Sequence, residues 1–119
     1  MEALPFAVWF KDGHGIFEKV NSLFLRSLNR EPDEVIGKGV RQVFDLEDAR
    51  QSEDGEKDVY ETGKISQATY SRDQRIYKTV NFPVFGPDGR ITGTGGYQED
   101  ITNLTGSLQD LHRERETLE

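Results

Sequence analysis

Three groups of residues have the types and spacing that chemistry could use. Asp45, Glu47 and Asp48 place three carboxylates within four positions, and paired acids in a cleft can serve as general acid and base. They equally suit a solvated helix start, where carboxylates face the positive end of the peptide dipoles, and that reading explains them better. His14 and His112 lie 98 positions apart with no accompanying metal-ligand spacing. Gly93–Gly96, read GTGG, invites comparison with a phosphate loop, which needs a strand, a glycine turn and a helix N-terminus in succession. Here the glycines sit inside a strand pattern, and Glu99–Asp100 at the start of the next helix would repel phosphate. Close backbone approach or a bulge explains them instead. With no cysteine in the chain, disulfides, thiolate metal sites and thiol nucleophiles are excluded. Catalysis by these 119 residues is therefore not expected.

The elements that would position such residues follow from periodicity. PFAVWFK (Pro5–Lys11) reads as a strand, DGHG as a tight turn and GIFEKV as the returning strand. Asn21 or Ser22 can cap a helix in which Leu23, Phe24, Ser27 and Leu28 share a face. Pro32 opens a further short helix, which Gly37 is placed to end. Asp45–Gly63 carries eight acids and two bases, the pattern of a solvated helical face. Leu46, Ala49, Val59 and Tyr60 are its expected buried contacts, Gly55 an expected interruption and Gly63 its end. The period then changes to two. KISQATYS, RIYKTVNFPVF and RITGTGGYQ read as three strands joined by SRDQ and GPDG turns. Two strands, several helices and a closing meander predict an α+β domain rather than an alternating parallel sheet.

Beyond the last strand, Ile101, Leu104, Leu108, Leu111, Arg115 and Leu118 are spaced 3-4-3-4-3, an a/d seam. Asp100 stands at the N-cap. A domain over residues 1–99 and the start of a signalling, coiled-coil linker helix over 100–119 are expected. If Leu118–Glu119 are a cloning remnant, the seam loses its last rung. The leucine stripe, with Ile101, Leu104, Leu108 and Leu111 on its seam, predicts a parallel homodimer. The net charge of −7 argues against nucleic acid as a partner. Short, charge-broken apolar runs argue against a membrane span, and the N-terminus lacks a secretory pattern, so a cytoplasmic location is expected.

PFAVWFKDGHGIFEKVN, PDEVIGK, DGEKDVYETGK, NFPVFGPDGRITGTGG and the closing DIT together resemble the PAS domain, the sensor module of bacterial signalling proteins. The resemblance covers nearly the whole chain. It implies a five-stranded antiparallel sheet with short helices over one face and the first hairpin at the sheet's centre. It also implies a projecting helix after DIT that leads to an effector in the same chain, commonly a histidine kinase of a two-component system or a diguanylate cyclase. Asp100, Ile101 and Thr102 are then the signal-transfer junction.

Family members hold haem, flavin, a small metabolite or nothing. Covalent flavin photochemistry uses a cysteine, which is absent here. Haem is disfavoured, because His14 falls in the predicted turn, His112 on the exit helix, and the acidic helix has no histidine. Non-covalent flavin, with Trp9, Asn81 and Tyr97 as stacking or bonding groups, stays open, as does a small metabolite. Phe24, Leu28, Val59, Tyr70, Tyr77, Thr79, Asn81 and Tyr97 could line a pocket. Along β-strand RIYKTVNF, Tyr77, Thr79 and Asn81 share one face, and Ile76, Lys78, Val80 and Phe82 the other. A polar set turned towards the helices favours a ligand; an apolar set favours a filled core. Two functions stand side by side: a ligand-sensing input domain, and a ligand-free dimerisation module that aligns effectors.

Overall fold

The computed structural model describes residues 5–102. Strands β1 (Ala7–Asp12) and β2 (Phe17–Val20) form the first hairpin. Helix α1 (Ser22–Leu28), a 3-10 turn (Pro32–Glu34), the short helix α2 (Val40–Val43) and the long helix α3 (Leu46–Thr62) follow. The chain closes with β3 (Ser66–Arg72), β4 (Arg75–Phe85) and β5 (Ile91–Asp100). The strands make one antiparallel sheet in the order β2-β1-β5-β4-β3. The expected α+β class and five-stranded sheet are both present. The first hairpin, however, is not the centre: β2 is an edge, and β5 takes the middle, where it pairs with β1 on one side and β4 on the other.

Local signals set most boundaries. Asn21 is the cap of α1 and is fully buried. Its Oδ1 accepts from Phe24 N at 3.1 Å and Val8 N at 3.0 Å, while its Nδ2 donates to Phe6 O at 2.9 Å. One side chain thus fixes where the hairpin ends, where the helix starts and how they meet. Asp45 caps α3 by accepting from Asp48 N at 2.9 Å. Gly63 ends it in the left-handed region at φ +69°, a conformation that suits glycine. The β3–β4 turn has Asp73 and Gln74 both at positive φ, the backbone of a two-residue primed hairpin turn.

Three expectations about α3 need correction. The helix is continuous through Gly55. Glycine stands there because a Cβ would lie 2.5 Å from Asn81 Nδ2 on the sheet, so the residue marks close helix–sheet approach rather than a break. Ala49 and Val59 are fully buried, but Leu46 is 57% and Tyr60 41% exposed. Charge on most of the helix leaves a narrow apolar stripe, and these two residues fall outside it.

The main core lies between the β1–β2 end of the sheet and the helices. Ala7, Trp9, Phe17, Phe24, Val35, Val40, Val43 and Ala49 form it, with Phe44 packed against them. Phe17 and Phe24 approach to 5.4 Å between ring centroids, Phe17 and Phe44 to 6.0 Å, and Trp9 and Phe24 to 5.8 Å. Tilted and edge-on contacts of this kind add to the stabilisation from burial.

Candidate functional site: a polar cleft between sheet and helices

Strand register decides which residues face the helices. Residues directly paired across strands project to the same face. Trp9 pairs with Gly96, which pairs with Asn81, which pairs with Ser66. The next row along is Ala7, Gln98, Thr79 and Ala68. Asn81 touches Gly55 of α3, so both rows face the helices. The polar set of β4 is therefore the inward one.

A cleft of about 800 Å³ opens between these rows, α3 and the end of α1. Of the residues singled out in the sequence, Phe24, Leu28, Tyr70, Tyr77, Thr79 and Asn81 line it, and Val59 and Tyr97 do not. Val59 is wholly buried in the packing of α3. Tyr97 pairs with Val8 and Val80 and so belongs to the other face, where its ring meets Phe6 at 4.9 Å between centroids. The residue of β5 that does line the cleft is its neighbour Gln98. Trp9 also lines it, although sequence periodicity marks it equally well as core.

The polar groups in the cleft are only partly paired with one another. The Tyr70 hydroxyl donates to Gln98 Oε1 at 2.6 Å, and burial raises the pKa of this phenol above its usual range. Thr79 Oγ1 lies 3.4 Å from the same oxygen. Trp9 Nε1 and Asn81 Oδ1 are buried with no hydrogen-bond partner among the described residues. Groups of this kind cost roughly 1–3 kcal/mol each when left unpaired. The rim is acidic: Asp45, Asp48, Asp54, Asp58 and Asp73 line the cleft, with Arg72 as the single base among the described residues. Arg72 is itself paired with Asp48 and, at 3.6 Å, with Asp45.

Outside the cleft, the Lys11 side chain is fully buried between β1 and α3. Its ammonium pairs with Glu56, donates to Ser52 Oγ at 2.9 Å and lies 4.8 Å from the centre of the Phe17 ring. Burial pulls its pKa below the usual lysine range, and Glu56 opposes that shift. His14 sits in the exposed β1–β2 turn, where its backbone N donates to Asp12 Oδ1 at 2.8 Å. The glycines of GTGG lie within β5, beneath rings and backbone of the adjoining strands, as close approach requires. Among the described residues no group of three or more His, Asp or Glu is placed to hold a metal, and no helix is long and apolar enough to cross a membrane.

The far end of β5 is tied to β4 by side chains as well as backbone. Ile101 N donates to Ile76 O at 2.8 Å, and Ile76 N donates to Thr102 Oγ1 at 2.8 Å. Asp100 accepts from Thr102 N at 3.0 Å, from the Thr102 hydroxyl at 2.5 Å and from Arg75 Nε at 2.5 Å. The Thr102 hydroxyl and N–H, then the Arg75 guanidinium, hold the Asp100 pKa down to about 2. The seam positions Leu104, Leu108 and Leu111 lie outside the described residues.

Residues 1–106 match the family model of the PAS fold, and the chain belongs to that family. Among solved structures it is similar to a sensory box sensor histidine kinase from Vibrio cholerae (TM-score 0.75, 19% identity, 83% of each chain covered). It is also similar to a domain of an HTR-like protein from Haloarcula marismortui (TM-score 0.70, 23% identity, 83% of this chain and 100% of that one). A third likeness is to the Vibrio cholerae VqmA–ligand–DNA complex (TM-score 0.71, 18% identity, 84% of this chain and 47% of that one). No curated protein matches the sequence.

Proposed function

We propose that this PAS domain is the sensory input of a signalling protein: a small molecule in the cleft biases the β4–β5 end of the sheet, and Asp100, Ile101 and Thr102 pass that bias to the following helix and an effector. The histidine kinase and diguanylate cyclase classes fit such an effector. The observation that carries the reading is the cleft itself. It sits over a polar, inward-facing row of the sheet, and two of its lining residues carry a buried indole N–H and a buried amide oxygen without a partner among the described residues, the mixture of apolar walls and few polar groups that ligand sites share. The Vibrio cholerae VqmA structure, of similar fold, was solved with a ligand. A short route to the junction supports the second half: Tyr77 lines the cleft and pairs across β4–β5 with Asp100.

The parent protein tests both halves. Asn81→Leu in the cleft and Asp100→Ala at the junction should each change effector output, whereas Arg41→Ala on the exposed surface should not. Unchanged output and signal response in both variants would refute sensing through this route.

A second reading, an interaction module without ligand, draws on the other sheet face. Phe6, Phe10, Phe82 and Tyr97 are half-buried there beside Val8 and Val80, an apolar surface of the kind partners cover. Under it the seam of Ile101, Leu104, Leu108 and Leu111 holds a homodimer. Sedimentation of the chain beside its Leu104→Asp, Leu111→Asp variant tests this: two monomers at high micromolar concentration refute the dimer, and two dimers refute the seam.

A further inference from the structure

Two adjacent residues of β5, Gly95 and Gly96, each stand at the middle of a cross-strand row, on opposite faces of the sheet. The Gly95 row is Phe10–Gly95–Phe82. There the two rings meet over the glycine, 6.0 Å apart and edge to face, and the row is closed by apolar contact. The Gly96 row is Trp9–Gly96–Asn81. The indole lies over the glycine: a Cβ on Gly96 would sit 2.6 Å from Trp9 Cε2 and Cζ2 and 2.8 Å from Nε1. Trp9 Nε1 is thus carried out over the strand that separates it from Asn81. On the Asn81 side Gly55 supplies the roof, with its bare Cα letting α3 come down onto the amide. Trp9 is 7% and Asn81 4% exposed, and both line the cleft. The row is therefore bounded by a donor with no acceptor and an acceptor with no donor among the described residues.

An indole N–H can only donate, and an amide oxygen can only accept. Their complement is a molecular edge with an acceptor beside a donor, in a cleft that Phe24 and Tyr77 also line. The charge of the lining narrows the class further. Among the described residues five aspartates line the cleft, and the one cation that lines it, Arg72, is held by Asp48 and Asp45. A carboxylate or phosphate would meet like charge and no free base. We propose that the cleft takes a small, planar molecule without negative charge whose edge is a lactam or imide, its C=O accepting from Trp9 Nε1–H and its N–H donating to Asn81 Oδ1. This rests on the sensing reading above and gives it a ligand class.

Trp9 is the only tryptophan of the chain, so a ¹⁵N-labelled sample has one indole N–H resonance, and it reports on the site directly. Three probes separate the terms: uracil, which has the edge; 1,3-dimethyluracil, which lacks the donors; and orotate, which is uracil with a carboxylate. Uracil should shift the indole resonance saturably at millimolar concentration. The other two should bind at least about tenfold more weakly, a difference of ~1.4 kcal/mol. Asn81→Leu should abolish the preference for uracil over its dimethyl analogue; should that variant not fold, the comparison of probes on the natural chain decides alone. Equal binding of dimethyluracil or orotate overturns the ligand class and leaves sensing intact. Silence from all three overturns the class, and if the protein as purified also carries no bound small molecule, the sensing reading falls with it.

Discussion

The helix-covered face of the sheet has two halves built from different materials. Over β1 and β2 it is filled by Trp9, Phe17, Phe24 and Phe44, with Val35, Val40 and Val43. Over β4 and β3 it carries Asn81, Thr79, Tyr77 and Tyr70 beside Gln98, and the helix above leaves a cleft. The first half has the ring contacts and the buried area that stabilise a domain of this size. The second carries hydroxyls and amides in their place and leaves the Asn81 amide oxygen without a partner among the described residues, where an apolar residue of the same shape would be at least as stable. If the cleft binds a ligand as proposed, stability and binding are separated along one sheet: the aromatic half holds the fold so that the polar half can stay open.

The largest test of this division is in the filled half. Phe17 is 1% exposed and touches both Phe24 and Phe44. Phe17→Ala should cost about 3–5 kcal/mol, a large share of a typical domain's stability, and urea denaturation will show it. A loss below 1 kcal/mol would mean that the aromatic cluster does not carry the fold.

Next in size is the ion pair at the boundary. Glu56→Gln leaves the buried Lys11 ammonium without its counter-charge and should cost about 3 kcal/mol near neutral pH. The sign of its pH dependence follows from the lowered Lys11 pKa: between the folded and unfolded values the unfolded chain binds more protons, so stability rises with pH. The Glu56→Gln deficit should therefore shrink as pH rises towards the ordinary lysine range. A pH series of urea midpoints checks this, and a deficit constant with pH contradicts it.

In the polar half the expected sign reverses. Asn81→Leu removes a buried, unpartnered acceptor and should leave stability within about 1 kcal/mol of the natural chain, or raise it. A loss as large as that of Phe17→Ala would erase the distinction between the halves.

The smallest effect is at the junction. The Asp100 pKa lies below its unfolded value of 3.8, at about 2. Its contribution is thus full above pH 4 and is lost as pH falls through about 2. The melting temperature of Asp100→Ala should sit slightly below that of the natural chain at neutral pH, and the two should converge in that acidic window. Thr102→Val should act in the same direction.

Much of the fold was legible because its signals are local. The Asn21 and Asp45 caps, the Gly63 stop and the Asp73–Gln74 turn each depend on a few neighbouring residues. What periodicity missed is tertiary. Gly55 reads as a break until Asn81 is found against it. Tyr97 reads as a pocket residue until the register shows it one position out of phase with Gln98. The central place of β5 depends on pairings 80 or more positions apart in sequence, such as Trp9 with Gly96. For the site, alternation along β4 sorted Tyr77, Thr79 and Asn81 from Val80 and Phe82, but only the helices overhead decide which set is inside. The unpartnered atoms of Trp9 and Asn81 have no sequence signature at all, because a hydrogen bond not made is a property of packing.

The proposed function requires that the polar half of the sheet hold a small molecule. Native mass spectrometry of the natural chain and of Asn81→Leu, purified side by side, tests it most directly. The expected result is one small molecule per chain on the natural protein and its loss from Asn81→Leu, with the fold unchanged by circular dichroism. Two bare chains, or the same adduct retained on both, would contradict it.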